Sequence, residues 1–407
     1  MLLRQSVVCA SLSLWVIVAA GYPAPPADPT KPPSTVSAVI QQARRAMLDP
    51  ELNTLTFHSM DQLFTTRTVA RSGAIWAIPR SEQKLDIAYE YDGHRYNLDQ
   101  FLDRTYTNAL LIIRNGHIVY ETYRNNTGPS SRFIGFSMTK SITSLLVGCA
   151  LQEGRITSID DPITKYLPEL IGGGYESVSI RHILQMRSGV DYPERYDFAH
   201  PGLAASNHEL ALVRNVVRFA DAARTIRRAH PPGEVWEYKT LDTAVLGWLL
   251  ERVSGGSTVA AYTAQRLWEK IGAESDGFYI TDGPPGVGRE FSGAGFNATL
   301  RDFARIGLLM LNGGVANGNR VVSAEWIRES THPTGDSRPG YGYQWWMIDG
   351  THAYQALGLQ GQHIYIDPET QTVIVKLSFT PVEGQDDEDA EATRFFTAVS
   401  AWREPIR

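Results

Sequence analysis

The sequence predicts an α/β fold. An antiparallel sheet flanked by helices is built from both chain ends, and an all-helical domain is inserted between them. Three observations point to it. A strand-turn-strand pattern stands at residues 109–114 and 117–123 across Asn115-Gly116, the strongest short hairpin signal. A second stands near the other end, at 362–367 and 372–378 across Pro368-Glu369-Thr370-Gln371. Between them the chain reads mainly as helix. The expected division is a leader at 1–20, a linker at 21–36, the first part of the α/β domain at 37–136, the helical domain at 137–275 and the rest of the α/β domain at 276–407.

In chain order, Arg4 is the positive start of an export leader, residues 6–20 are its apolar run, and Val18-Ala19-Ala20 is a small-residue cleavage site. A retained membrane anchor is the alternative, though the run is short for the ~20 residues that a span requires. Six prolines within 21–34 make a stiff, solvated linker. Residues 37–48 have helical spacing through Val39, Ile40, Ala43 and Met47. Helices are expected at 179–186, 208–219, 241–253 before Gly255-Gly256, 297–311 before Gly313-Gly314, and 390–402. The acidic run Asp386-Asp387-Glu388-Asp389 reads as a solvated loop.

Composition sets bounds. The 407 residues are 43% hydrophobic and 20% charged, an ordinary globular balance, and a net charge of −6 argues against nucleic-acid binding. Of the two cysteines, Cys9 lies in the leader and Cys149 in an apolar helix, which gives neither a disulfide framework nor a metal site. A secreted or periplasmic protein is expected, with no stable membrane insertion once the leader is removed. Its oligomeric state is not legible.

The chemistry centres on Phe136-Ser137-Met138-Thr139-Lys140, which opens a long apolar run to Leu151. On a helix, residues three apart share a face, so the Lys140 amine lies beside the Ser137 hydroxyl. A serine needs a base, and a lysine serves only if its pKa falls. A drop from ~10.4 to ~7 corresponds to roughly 5 kcal/mol of environment, which a buried apolar helix supplies. The same pattern at Ser81-Glu82-Gln83-Lys84 sits in a polar segment with no apolar helix behind it, and reads as a chance occurrence. Further on, Pro232-Gly233 precedes Tyr238-Lys239-Thr240 at the start of another helix. A tyrosine near a lysine cation serves as general base or proton relay, because the ammonium lowers its pKa.

Together these pieces resemble the serine β-lactamase and penicillin-binding-protein superfamily, and within it the class C β-lactamase-like esterases and amidases. The resemblance runs from Ala109 to Ser378. It includes 183–192, Arg301-Asp302-Phe303-Ala304-Arg305-Ile306-Gly307 and Tyr341-Gly342-Tyr343-Gln344-Trp345-Trp346. The phrases at 238–247, 356–362 and 373–378 are similar to those of the 6-aminohexanoate-dimer hydrolases, the nylon-oligomer amidases. The resemblance implies that Ser137 is acylated and that Lys140, neutral when it acts, takes its proton. Tyr238 then passes a proton to the leaving group and helps activate water for deacylation. It implies an oxyanion hole made by the backbone N–H of Ser137 and one beside the third motif. That motif is usually Lys-Thr-Gly and is here Ala356-Leu357-Gly358. The second donor is then the N–H of Leu359, with Gln362 as the alternative register. Each donor is worth roughly 3–4 kcal/mol in the transition state.

Two departures bear on substrate. Ala356 and Leu357 cannot pair with a carboxylate, and Thr240 stands where class C enzymes usually have Asn. Both point away from β-lactams. Tyr192, Tyr196 and Asp191 lie in a segment that resembles the family's substrate-facing loop, and substrate-binding and structural roles are both open for them. Trp345 and Trp346 wall the cleft or pack a strand. Asn297 faces substrate or caps a helix. His352 and His363 lack partners at metal-ligand spacing and read as non-catalytic. Asn125-Asn126-Thr127 matches a glycosylation sequon. The expected function is a secreted serine hydrolase that cleaves small amides or esters through a Ser137 acyl-enzyme, with no metal and no organic cofactor. The alternatives are a β-lactamase or D-Ala carboxypeptidase, or a non-catalytic binding relative.

Overall fold

The computed structural model describes residues 16–17, 33–335, 337 and 340–403. The expected leader and linker lie almost wholly outside them. The elements that position the site are strands β1 (Thr66–Val69), β2 (Thr107–Arg114), β3 (His117–Tyr123), β4 (Phe133–Ile134), β5 (Gly277–Ile280), β6 (Phe296–Ala298), β7 (Trp346–Met347), β8 (Tyr354–Gly358), β9 (Gln362–Asp367) and β10 (Thr372–Ser378). The helices are α1 (Ala38–Arg45), α2 (Leu98–Arg104), α3 (Met138–Gln152), α4 (Thr240–Val253), α5 (Leu300–Leu311) and α6 (Gln385–Ala401).

A six-stranded antiparallel sheet runs β7-β8-β9-β10-β2-β3, so strands from both ends of the chain close it as the sequence predicts. Asn115 and Gly116 have φ of 48° and 76°, the left-handed pair that a two-residue hairpin turn requires. The run Ala109-Leu110-Leu111-Ile112-Ile113 is apolar without alternation because both faces of β2 are covered. Leu111 and Ile113 face the main core with α5, while Leu110 and Ile112 face α2 and α6. On that second face Phe101 stacks on Phe395 with centroids 3.8 Å apart.

The insert is helical. Helices α3 and α4 pack on each other and are buried nearly all round, which is why neither shows a polar face in the sequence. A smaller antiparallel sheet, β1-β5-β6-β4, holds the approach to Ser137, with Ile134 paired to Asn297.

Several expected elements differ. The helix placed at 297–311 begins at Leu300, after strand β6, and its cap is Thr299, whose side chain accepts from the Asp302 N–H. Asn297 is therefore a strand residue. The helix placed at 208–219 starts at Leu203 and stops where Asn215 turns left-handed at φ 50°. The terminal helix begins five residues before its expected start, at Gln385, so the acidic run is its first turn, where negative charge suits the helix dipole. Asp386 and Asp387 are exposed, but Glu388 is buried against Lys376.

Candidate active site

Strand β4 leads through Gly135 and Phe136 into Ser137, the N-cap of α3. Phe136 has φ 42°, a left-handed conformation that costs a non-glycine residue about 1–3 kcal/mol and turns the chain sharply. The turn is held by the Met138 N–H on Gly135 O and by the ring of Phe136 edge-on to Phe57 at 4.9 Å. It presents Ser137 to the cleft while the rest of the first helical turn is buried.

Lys140 is 1% exposed. Its Nζ donates to Ser137 Oγ at 3.0 Å, to Thr240 Oγ1 at 3.0 Å and to Gly293 O at 2.9 Å. Burial pushes its pKa down to about 8, against an upward pull from Glu194. The amine is thus poised to exchange its proton near neutral pH. Gly293 is needed beside it, since a Cβ there would stand 2.5 Å from Thr240 Cγ2.

Tyr238 faces the same serine. Its ring lies under Lys140 Nζ at 4.8 Å and stacks on Trp346 at 5.5 Å. Burial drives its phenol pKa up, a hydrogen bond with Ser137 pulls it down, and Glu194 pushes it up again. The expected lowering by a lysine cation is absent. Lys140 meets the face of the ring, and Lys239 Nζ is turned away onto Glu237 at 2.5 Å. With its pKa raised by burial, the Tyr238 hydroxyl stays protonated.

The sequence reading missed Glu194. Its carboxylate accepts from both the N–H and the hydroxyl of Thr240. A chain of contacts thus runs Glu194–Thr240–Lys140–Ser137. The Tyr196 hydroxyl also donates to Glu194, at 3.1 Å. Nothing but its place between Tyr192 and Tyr196 in the family-like loop marked it, and a lone loop glutamate looks like any solvated charge. Thr240, read as a lost amide, is the bridge between the two charged groups.

A cleft opens onto Ser137. Apart from Ser137, Thr240 and Glu194 its walls are apolar or aromatic, with Phe64, Phe136, Tyr196, Phe198 and Leu359 among them. His208 also lines it, packed on Tyr196 and Phe198, and burial pushes its pKa down to about 4, so it stays neutral.

Three expected substrate residues are not in this wall. Tyr192 is 1% exposed and its hydroxyl accepts from Asn207 Nδ2. Asn297 is fully buried, with its Nδ2 on Gly295 O. Trp345 is fully buried and packs edge-on to Tyr354 at 5.8 Å, whereas its neighbour Trp346 flanks Tyr238. Asp191 is exposed and away from Ser137's cleft wall.

The end of β8 closes the site. A Cβ on Gly358 would come within 2.3 Å of Gly135 O, so only glycine lets the strand press against the Ser137 turn. Leu359 follows and lines the cleft. Gln362, the alternative donor, pairs back on Gly358, and its side chain holds the carbonyls of Gln360 and Ser378 at 2.9 Å each. His363, read from the sequence as lacking partners at ligand spacing, stands with Glu388 and Asp389 on the α6 face of the sheet, because the fold brings β9 against the first turn of α6.

A serine held by a desolvated lysine at the start of a buried helix, with a protonated tyrosine opposite, defines a serine hydrolase of the Ser-x-x-Lys type. The chain belongs to the β-lactamase family, whose profile matches residues 97–398. It is 35% identical over 304 residues to the 6-aminohexanoate-dimer hydrolase of Paenarthrobacter ureafaciens, covering 70% of this chain and 76% of that one. A Bacillus anthracis structure described as a 6-aminohexanoate-dimer hydrolase superposes with a TM-score of 0.78 at 25% identity, covering 87% of this chain and 95% of that chain. A family VIII carboxylesterase shares the fold, with a TM-score of 0.58 at 17% identity over 74% of this chain and 94% of that one.

Proposed function

We propose that this hydrolase cleaves small linear amides or esters through an acyl-enzyme on Ser137. The observation that carries the reading is the 3.0 Å contact between Ser137 Oγ and a Lys140 amine that burial brings down to about 8. In its neutral form Lys140 accepts the Ser137 proton as Oγ attacks the substrate carbonyl. The oxyanion is held by the backbone N–H groups of Ser137 and Leu359. The close packing of Gly358 on Gly135 and the place of Leu359 in the cleft support that pair. As the carbonyl–nitrogen or carbonyl–oxygen bond breaks, the Tyr238 hydroxyl protonates the leaving atom and recovers a proton from Lys140. Water then attacks the acyl group, its proton passes to the same pair, and Ser137 Oγ leaves with a proton.

The cleft supports an aliphatic substrate over a β-lactam. Buried Ala356 stands where relatives carry a cation, and its neighbour Leu357 packs with Tyr238, Tyr341 and Trp346. Glu194 is the acidic group in an otherwise apolar wall, which suits a substrate with an amino end and disfavours one with a carboxylate near the scissile bond. The kinship with 6-aminohexanoate-dimer hydrolase points the same way. The leader-like start supports export to a secreted or periplasmic location, which the mature N-terminus, read by mass spectrometry on exported protein, checks.

The test compares wild type and Ser137→Ala on p-nitrophenyl butyrate, a linear 6-aminohexanoate dimer and a chromogenic cephalosporin. Ser137-dependent cleavage of the ester or the dimer, with little of the cephalosporin, is expected. Cephalosporin turnover as fast as that of the ester would replace this reading with a β-lactamase.

A further inference from the structure

Behind the Leu359 turn, on the opposite face of the sheet from Ser137's helix, three side chains from β9 and α6 converge. Each has one atom anchored and one atom free. His363 is fully buried, and its Nδ1–H donates to Gln355 Oε1 at 3.1 Å, which leaves Nε2 without a hydrogen-bond partner. Glu388 Oε1 accepts from Lys376, which leaves buried Oε2 without one. Asp389 Oδ2 accepts from Gln385 at 3.5 Å, which leaves Oδ1 without one. The free atoms point at one another. Nε2 stands 3.3 Å from Asp389 Oδ1 and 3.9 Å from Glu388 Oε2, and all three lie within 4.8 Å of each other.

Unsatisfied polar atoms in a buried site carry a cost, and three at one point ask for a common partner. Ligands about 2.0–2.2 Å from a zinc ion in a tetrahedron lie roughly 3.3 Å apart, the separation of His363 Nε2 and Asp389 Oδ1, and Glu388 Oε2 stands 3.9 Å from Nε2. Gln355 does what an outer partner of a metal-bound histidine does: it fixes the tautomer that aims Nε2 inward. Gly361 keeps the neighbouring volume open, since a Cβ there would lie 2.8 Å from both Glu388 Oε2 and Thr380 Oγ1. Lys376 pairs with Glu388, and Asp389 faces the His363 imidazole. Asp389 is 20% exposed, and Glu388 borders a surface cleft with Tyr91 and Arg104, which gives a way in.

We propose that His363 Nε2, Glu388 Oε2 and Asp389 Oδ1 form a site for a divalent transition-metal ion of the zinc type. The imidazole ligand selects against magnesium and calcium. The site is structural. It joins the first turn of α6 to β9, next to the turn where Gln385 accepts from the Gln360 N–H at 3.0 Å.

The test uses the full chain, stripped with a chelator, and titrates it with Co²⁺ by visible absorption and with Zn²⁺ by competition against a chromogenic chelator. One ion per chain is expected, with the ligand-field bands of a bound Co²⁺ and a rise in Tm on saturation with Zn²⁺. His363→Ala and Asp389→Asn should each weaken binding at least tenfold. His352→Ala, at an exposed histidine, should leave it unchanged. Should His363→Ala fail to fold by circular dichroism, Asp389→Asn, at the solvent edge and of the same shape, carries the test alone. Absence of stoichiometric binding, or binding that both variants leave intact, would overturn the proposal and make the cluster an imidazolium–carboxylate ion-pair network.

Discussion

At the residue scale the site depends on one desolvated amine and what surrounds it. With Lys140 as the proposed base, kcat/KM for an ester should fall below about pH 8 as Lys140 is protonated, with unit slope in a logarithmic plot. Glu194 raises the Lys140 pKa, so Glu194→Gln should move that limb to lower pH. A limb that moves upward, or stays in place, would detach Glu194 from the amine. Lys140→Ala should nearly abolish acylation. Tyr238→Phe removes the relay proton but keeps the ring against Trp346, and should lower turnover by about 10²–10⁴-fold with the fold intact. Stopped-flow acylation and circular dichroism check both variants. Legibility at this scale was uneven. Ser137, Lys140 and Tyr238 were readable because each stands at a helix start in a local motif. Glu194 was not, because its partner Thr240 lies far along the chain.

At the element scale two backbone approaches decide whether the residues meet. The left-handed Phe136 turns Ser137 into the cleft, and the Gly358 end of β8 presses on Gly135. Gly358→Ala would force the strand end away from the Ser137 turn. Turnover should drop more than substrate affinity, as expected when an interaction made only in the transition state is loosened. Equal losses in kcat/KM and binding, or none, would place the oxyanion donor elsewhere. The hairpins were legible because their turn chemistry is local, as in Asn115-Gly116. The acidic run was misread because what buries Glu388, namely Lys376 and His363, comes from two strands that local pattern cannot place beside it. Asn297 was misread as a helix start because β6 and α5 are joined at Thr299 with no loop to separate their patterns.

At the scale of the whole molecule the sheet is a two-sided wall. One face carries α5 and the main core that supports the cleft, and the other carries α2 and α6. Phe395→Ala removes the partner of Phe101 in that second layer and should cost about 3–5 kcal/mol, read as a fall in Tm. Activity per folded molecule should be unchanged, since the layer does not touch the cleft. The order of the chain, strands at both ends and helices between, was legible in the sequence because apolar period and turn residues mark it. Which loop residues enter the cleft was not legible, because that depends on contacts between the 191–208 segment and α4 that no local pattern encodes.

The central claim is that Ser137 carries the acyl group. The most direct measurement is intact-protein and peptide mass spectrometry after rapid acid quench of the enzyme mixed with p-nitrophenyl butyrate. One butyryl group is expected on the peptide containing Ser137, accumulating further in Tyr238→Phe and absent in Ser137→Ala. An adduct on another residue, or wild-type hydrolysis by Ser137→Ala, would contradict it.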